Sequence, residues 1–374
     1  MSSTNTIPTA FVNKPKVHFQ FIDALRGIAA LWVVIFHADS GDRLTQLTSV
    51  LPPWLVTVVF KWGSLGVSIF FVLSGFVIAH SLREAKIDLA FWKNFSLRRF
   101  ARLNPPYYVS ILVALGFAFI SSTAKGEPFA PMGEPLSIPR LLSHLFYLQD
   151  IFRFAHIDDV YWTLCLEVQF YLVFCTLLAL VHWLDSTWNW RFGRVAVFVP
   201  MALLAALFPL GLFANNVRPY IFLPLWYGFL LGVFAYWSWR GNLQSIFFYL
   251  YCGVLLAGGV IRGDNFAIAC VICAAIILEV ARANRMMWLS WPWLQFLGKI
   301  SYSLYLIHVP IMGAVFFVAS KLLPRNIIGE IAYLILGTLI CIVSAAIMWQ
   351  LVEKPSIKLS QKVKLIKNKE AATV

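Results

Sequence analysis

Four groups of residues in this 374-residue sequence have types and spacings suited to chemistry. The stretch from Phe21 to His37 sets Asp23, Arg26 and His37 in otherwise apolar surroundings. On a helix, the eleven steps from Arg26 to His37 make almost three whole turns, so the two share one face about 16 Å apart. Asp23 lies one turn before Arg26, close enough to pair with it. Thr163, Glu167 and Tyr171 recur at i, i+4 and i+8 and form one polar face, with Trp162 beside them. Ser301, Tyr305 and His308 share another face. Arg98, Arg99 and Arg102 cluster just before Pro105 and Pro106. An imidazole suits general-base work, a carboxylate can orient it or bind a hydroxyl, and clustered guanidiniums suit phosphate. Plainer readings stand beside these. They are a structural Asp23–Arg26 pair with an interfacial His37, a Glu167 satisfied by neighbouring hydroxyls, a satisfied core His308, and arginines that only set topology. Ser74-Gly75, within Phe70 to Ile78, reads as a site of close helix approach or a kink before it reads as catalysis.

The elements that must position these groups follow from composition. Hydrophobic residues make up 60% of the chain and charged residues 13%. A soluble domain averages roughly 45–50% apolar and about 25% charged. The excess is more than a water-soluble fold could cover, so lipid is the solvent. That excludes a two-domain cytosolic enzyme, a disordered chain and a secreted disulfide scaffold. The net charge of +13 would suggest nucleic acid in a soluble protein; here it indicates basic cytoplasmic loops. The fold class expected is all-α, a polytopic membrane bundle of about ten spans. These run Phe19 to Ala38, Gly63 to Ser81, Pro106 to Ser122, Tyr161 to Trp183, Val195 to Phe213, Tyr220 to Trp237, Ile246 to Val260, Asn265 to Val280, Ile300 to Ser320 and Ile331 to Val352. Leu141 to Leu148 is too short to cross and reads as interfacial, as does Met286 to Leu297 with its three tryptophans. With the N-terminus inside, 20 of the 30 Lys and Arg residues fall on the inner side, 9 fall outside and Arg26 lies within the first span. That bias places both termini in the cytoplasm.

No cleaved signal peptide, internal repeat or soluble domain is expected. All six cysteines fall in spans; Cys270 and Cys273 have CxxC spacing without a second ligand pair, so neither a metal nor a structural disulfide is expected. Charge within a bilayer costs about 2.5–3.5 kcal/mol per residue on insertion scales, which makes Arg26, His37 and Glu167 functional candidates.

Taken together and in order, the motifs resemble the acyltransferase-3 family of membrane O-acyltransferases, the group that includes bacterial O-antigen and polysaccharide O-acetylases. The resemblance rests on Asp-Ala-Leu-Arg-Gly with ten residues between Arg26 and His37, Phe-Phe-Val-Leu-Ser-Gly-Phe-Val-Ile, and Arg-Arg-Phe-Ala-Arg-Leu-Asn-Pro-Pro-Tyr. Trp-Thr-Leu-Cys-Leu-Glu, Ser-Tyr-Ser-Leu-Tyr-Leu-Ile-His and the closing Glu353-Lys-Pro355 complete it. It implies an N-tail over 1–18, a transmembrane acyltransferase domain over 19–353 and a basic cytoplasmic C-tail over 354–374. It implies transfer of an acetyl or other short acyl group from acetyl-CoA or another acyl-CoA to a carbohydrate hydroxyl in the inner (plasma) membrane. By position it makes His37 the catalytic histidine and Arg26 its essential partner, places Arg99 and Arg102 at the donor site, and gives Glu167 the acidic role. Many relatives carry an additional esterase-like domain, so the chain is expected to act alone or with a separate periplasmic partner of that kind.

A sugar hydroxyl barely ionises at neutral pH, so attack on a thioester needs a base. His37 is expected to take that proton, with Glu167 orienting the base or the acceptor. Arg26 either stabilises an oxyanion or holds the donor's pantetheine arm, and Arg98, Arg99 and Arg102 anchor phosphates on the inner face. Asp23, Trp162, Thr163, Ser74, Tyr305 and His308 are expected to support them. The acceptor is expected to enter past Asp39, Asp42, Glu127, Glu134, Asp158 and Asp159. A covalent acyl-histidine stays open, as do an acyltransferase acting on a small molecule and, from another class, a transporter with charged residues along its path. Membrane lipid is an expected partner, through the Lys-rich tail, and nucleic acid is not.

Overall fold

The computed structural model describes residues 18–83, 85, 87–188, 192–213 and 219–364. The elements in chain order are α1 (Gln20–Ala38), α2 (Thr45–Val50), α3 (Pro53–Val56), α4 (Gly66–Ser81), α5 (Leu89–Lys125), α6 (Ile138–Leu145) and α7 (Tyr161–Trp188). They continue with α8 (Gly193–Ala206), α9 (Trp226–Trp239), α10 (Ser245–Arg262), α11 (Asn265–Arg282), α12 (Pro292–Leu322), α13 (Ile327–Met348) and α14 (Lys354–Lys362). Eight helical stretches among the described residues are long and apolar enough to cross a membrane. The expected fifth and sixth spans are instead the 14-residue helices α8 and α9, shorter than the roughly 20 residues a full crossing takes. Nearly all of α9 is buried, on every face, so it is a core helix of the bundle.

Three boundaries depart from the sequence expectation. The third span was expected to begin at Pro106, but α5 starts 17 residues earlier, where the Asp88 side chain caps the Phe91 N–H at 2.7 Å. The helix continues through Pro105 and Pro106, as membrane helices can; beside them the Tyr302 hydroxyl donates to the Leu103 carbonyl at 3.0 Å. Arg98, Arg99 and Arg102 therefore sit on a helix, not in a loop ended by prolines. The ninth span begins at Pro292, where proline suits the first turn. The last span runs past Val352 through a π-helical turn, Trp349–Glu353, into α14, so the first part of the expected C-tail is helical and packed along α5. The N-tail (1–17) and residues 365–374 lie outside the described residues.

Glycines set the closest helix contacts. Helices α1 and α12 run parallel: Gln295 Nε2 donates to the Gln20 carbonyl at one end, and His37 faces His308 near the other. They cross at Gly27 and Gly298, where a Cβ on Gly27 would lie 2.8 Å from the Gly298 nitrogen and one on Gly298 would collide with the Asp23 carbonyl. Ten residues, about 15 Å of helix, then follow on each strand of the pair before His37 and His308. Equal rise from a shared crossing point brings the two imidazoles level. Likewise Gly75 of α4 presses on the Phe229 carbonyl and Gly232 of α9 on the Val72 carbonyl, so the close approach expected at Ser74-Gly75 is present.

Candidate active site

At the end of α1, the His37 and His308 rings meet with centroids 4.9 Å apart. His308 is fully buried. Its Nδ1 faces two carbonyl oxygens, Tyr305 at 2.8 Å and Leu304 at 3.1 Å, so that nitrogen carries the proton. The neutral ring then presents Nε2 as acceptor to His37 Nδ1, 3.2 Å away. His37 Nδ1 is also 3.0 Å from the Val33 carbonyl. Both neighbours call for a proton on His37 Nδ1, which leaves Nε2 as the basic nitrogen. Asp159 Oδ2 stands 3.8 Å from that atom, the right sign to stabilise an imidazolium.

The segment that delivers Asp159 is held by buried polar contacts. Arg140, 3% exposed, donates to the carbonyls of Pro131, Glu134, Pro135, Ala155 and His156 at 2.6–3.2 Å. His144 Nε2 accepts the Ile157 N–H at 3.0 Å; burial pushes this imidazole down to about 4, consistent with that neutral accepting role. His156 pairs with Asp150 at 2.7 Å. Asp158, next to the half-buried Asp159, is itself buried and is pushed up to about 7 by loss of solvent. The short amphipathic α6 is thus the anchor of this segment.

Below the imidazoles, the Tyr305 and Thr163 hydroxyls lie 2.8 Å apart, with the Tyr305 ring 5.9 Å from that of His308. Under them opens a narrow cleft of about 40 Å³, walled by Arg26, Ser74, Thr163, Glu167, Ser301 and Tyr305 among others. Glu167 Oε1 accepts from Ser74 Oγ at 2.8 Å and from the Tyr171 hydroxyl. The Nε of Arg26 is buried there with no hydrogen-bond partner. Asp23 does not pair with Arg26 as expected; its ion pair is with His18 at 3.0 Å. Arg26 instead lines the cleft.

Past Tyr171 the cations gather. Arg99 lies 4.5 Å over the Tyr171 ring and 5.3 Å over Phe95. Arg102 is within electrostatic reach of Arg99, Arg26, Glu353 and Tyr171. Glu353, 4% exposed, accepts from Ser303 Oγ at 2.6 Å and Ser303 N at 3.2 Å. Arg98 is half-buried on the same helix turn.

The molecule therefore stacks most of the expected residues into one column. From one end to the other it holds Asp159, His37 and His308, then Tyr305 and Thr163, then Ser74, Glu167 and Tyr171, then Arg26, and last Arg99, Arg102 and Glu353. Trp162 packs half-buried against the core beside it. Glu167 was expected to orient the base or the acceptor. It sits six residues into α7 and is engaged with Ser74 and Tyr171, so the carboxylate at the imidazole is that of Asp159. Of the other acidic residues expected along the acceptor's path, Asp39 is tied to Lys61 at 2.8 Å. Glu353 was read only as the close of the last span. The signal that singled out Arg26, a charge inside an apolar run, applied to it equally, because the π-helical turn carries the span past it and turns it inward. All six cysteines are buried thiols, and the described residues contain no cluster of His, Cys, Asp and Glu that could hold a metal.

Comparison with known proteins places this column in context. Residues 19–349 match the family model described as an acyltransferase domain. Acyltransferase MdmB of Streptomyces mycarofaciens is 27% identical over 71% of this chain and 63% of its own length. Peptidoglycan O-acetyltransferase OatA of Listeria monocytogenes is 27% identical over 44% of this chain and 25% of its own. O-acetyltransferase OatA of Staphylococcus aureus is 32% identical over 41% of this chain and 23% of its own. The chain thus spans less than two thirds of the length of each of these relatives. No solved structure matches. The match over 19–349 takes in every member of the column except Glu353, and the chain belongs to the acyltransferase-3 family.

Proposed function

We propose that the protein is a multi-pass O-acyltransferase of the inner membrane that moves an acetyl or similarly short acyl group from acyl-CoA to a hydroxyl of a cell-surface or lipid-linked carbohydrate. The observation that carries this reading is the continuous column from an arginine cluster, through a cleft, to an imidazole pair. Three guanidiniums held near one another repel unless an anion joins them, and guanidiniums match phosphate oxygens bidentately. Arg98, Arg99 and Arg102 take the phosphates of the donor from the cytoplasmic side. Eleven residues of helix, about 16 Å, separate Arg26 from His37, so Arg26 holds the donor's arm in the cleft and is too distant to meet an oxyanion formed at His37. Glu167 and Ser74 line the arm's path.

The acyl carbonyl then comes up beneath His37. His37 Nε2 removes the proton from the acceptor hydroxyl as its oxygen attacks the thioester carbon, and Asp159 stabilises the imidazolium. The Tyr305 hydroxyl, the polar group at the top of the cleft, donates to the developing oxyanion. Collapse breaks the carbon–sulfur bond, and the imidazolium proton passes to the departing thiolate. His308 keeps His37 in the tautomer this requires.

The test is to incubate the full-length protein in lipid nanodiscs with acetyl-labelled acetyl-CoA and a panel of glycan and small-molecule acceptors. The expected result is label in ester linkage on a glycan hydroxyl. Label on small molecules alone would reassign the acceptor. Passage of label across sealed vesicles without ester formation would replace the enzyme with a transporter.

A further inference from the structure

A second cavity, of about 320 Å³, opens at the histidine end of the bundle, outside the column. One wall is the turn after α1, with Arg43 and Gln46; the other is the turn between α12 and α13, with Phe316, Ser320, Arg325 and Tyr333 among its residues. Two links tie it to the imidazole pair. The Tyr333 hydroxyl donates at 3.3 Å to the carbonyl of Ala38, the residue after His37. Phe316 lies eight residues, about 12 Å of helix, beyond His308 on α12.

The charges in this cavity are unequal in what they have left to offer. Both oxygens of Glu330 are taken by backbone N–H groups, Gln46 at 3.1 Å and Leu47 at 2.7 Å, which join the two walls. Asp42 is exposed at the rim. Arg43 lines the cavity, lies over the Phe316 ring at 5.0 Å and hydrogen-bonds Tyr333, and Arg325 is exposed. Two guanidiniums, a serine hydroxyl, a glutamine amide and aromatic rings are the set that a sugar bearing an acid group would require. The guanidiniums match a carboxylate or phosphodiester, the hydroxyl and amide match sugar hydroxyls, and the volume is that of a small-ligand site.

We infer that this cavity is the acceptor subsite, that it takes an acidic glycan segment with the acid group on Arg325 and Arg43, and that the neighbouring sugar unit presents its hydroxyl to His37. This rests on the transferase reading above, and donor and acceptor then reach His37 from opposite ends. The test uses full-length protein in nanodiscs of zwitterionic lipid, with trigalacturonate as the acidic probe and maltotriose as the neutral one. Wild type is expected to bind and acetylate trigalacturonate in preference to maltotriose. Arg325→Ala is expected to raise KM for trigalacturonate about tenfold, the size of one lost charge-assisted hydrogen bond, with the donor KM unmoved. Ala319→Trp, which fills the cavity, is expected to remove the preference altogether. Unchanged use of trigalacturonate by both variants would overturn the inference while leaving the transferase reading intact. So would a preference that vanishes once phosphatidylglycerol is added, because the cavity would then be a lipid headgroup site. Calorimetric binding of trigalacturonate without donor tests the cavity separately from transfer: binding that Arg325→Ala weakens supports it, and no binding overturns it. Failure of wild type to acetylate any acceptor would instead overturn the transferase reading.

Discussion

The two ends of the column hold their charges by opposite means. At the histidine end the ionisable groups are fixed by backbone. His308 and His37 face carbonyls on their own helices, and Asp159 is delivered by a segment that Arg140 ties to five carbonyls. At the arginine end Arg99 lies on aromatic rings and Arg102 faces one buried carboxylate, Glu353. Backbone contacts fix a tautomer and an angle, which proton transfer needs. Stacked guanidiniums keep donor edges open, which a polyanionic ligand needs. The difference teaches that one end is built for chemistry and the other for binding, and substitutions can separate them.

The largest effect is expected from His37→Ala. Loss of a positioned base costs about 10²–10⁴ in rate, read as the initial velocity of acetyl transfer at saturating donor. Arg99→Ala with Arg102→Ala comes next. It is expected to raise the donor KM by about 10–100-fold through loss of charge-assisted contacts and to leave the acceptor KM in place. An equal change in both would erase the distinction between the ends.

Asp159→Asn sharpens the assignment of the imidazole's partner. It is expected to lower kcat about tenfold, the scale of one lost charge stabilisation. Added to His37→Ala it is expected to cost nothing further, because the two act as a unit. Full additivity would place Asp159 elsewhere in the mechanism.

The smallest expected effect is on stability. Asp158 is raised by burial from 3.8 to about 7, so the folded state binds its proton more tightly than the unfolded chain. Its contribution is fully present below about 3.8 and is lost as pH rises through 7. Asp158→Asn is therefore expected to raise Tm by a few degrees at pH 8 and to lose that advantage towards pH 4. A gain at acid pH would reverse the sign and contradict burial as the cause.

Much of this arrangement was legible in the sequence, because charge in an apolar run is costly and conspicuous. Arg26, His37 and Glu167 were visible on that ground, and the bundle was visible from composition. The pairing of His37 with His308 was not, since it depends on where α1 and α12 cross. Gly27 and Gly298 fix that crossing, and no property of either helix alone reveals it. Asp159 was hidden for a related reason: it lies in a connection whose path is set by Arg140 and its carbonyls. Proline misled the reading of α5, because Pro105 and Pro106 disfavour a helix in water but are tolerated inside a membrane helix. Glu353 was lost to a boundary, since a π-helical turn is not visible in an apolar pattern.

The division of labour between the two ends is tested most directly by measuring acetyl-CoA affinity and acetyl transfer on the same nanodisc samples of wild type, His37→Ala and Arg99→Ala/Arg102→Ala. His37→Ala is expected to bind the donor as wild type does and to transfer almost nothing, while the arginine variant loses affinity and recovers transfer at high donor concentration. Full transfer by a folded His37→Ala protein, or a loss of donor affinity as large as that of the arginine variant, would contradict it.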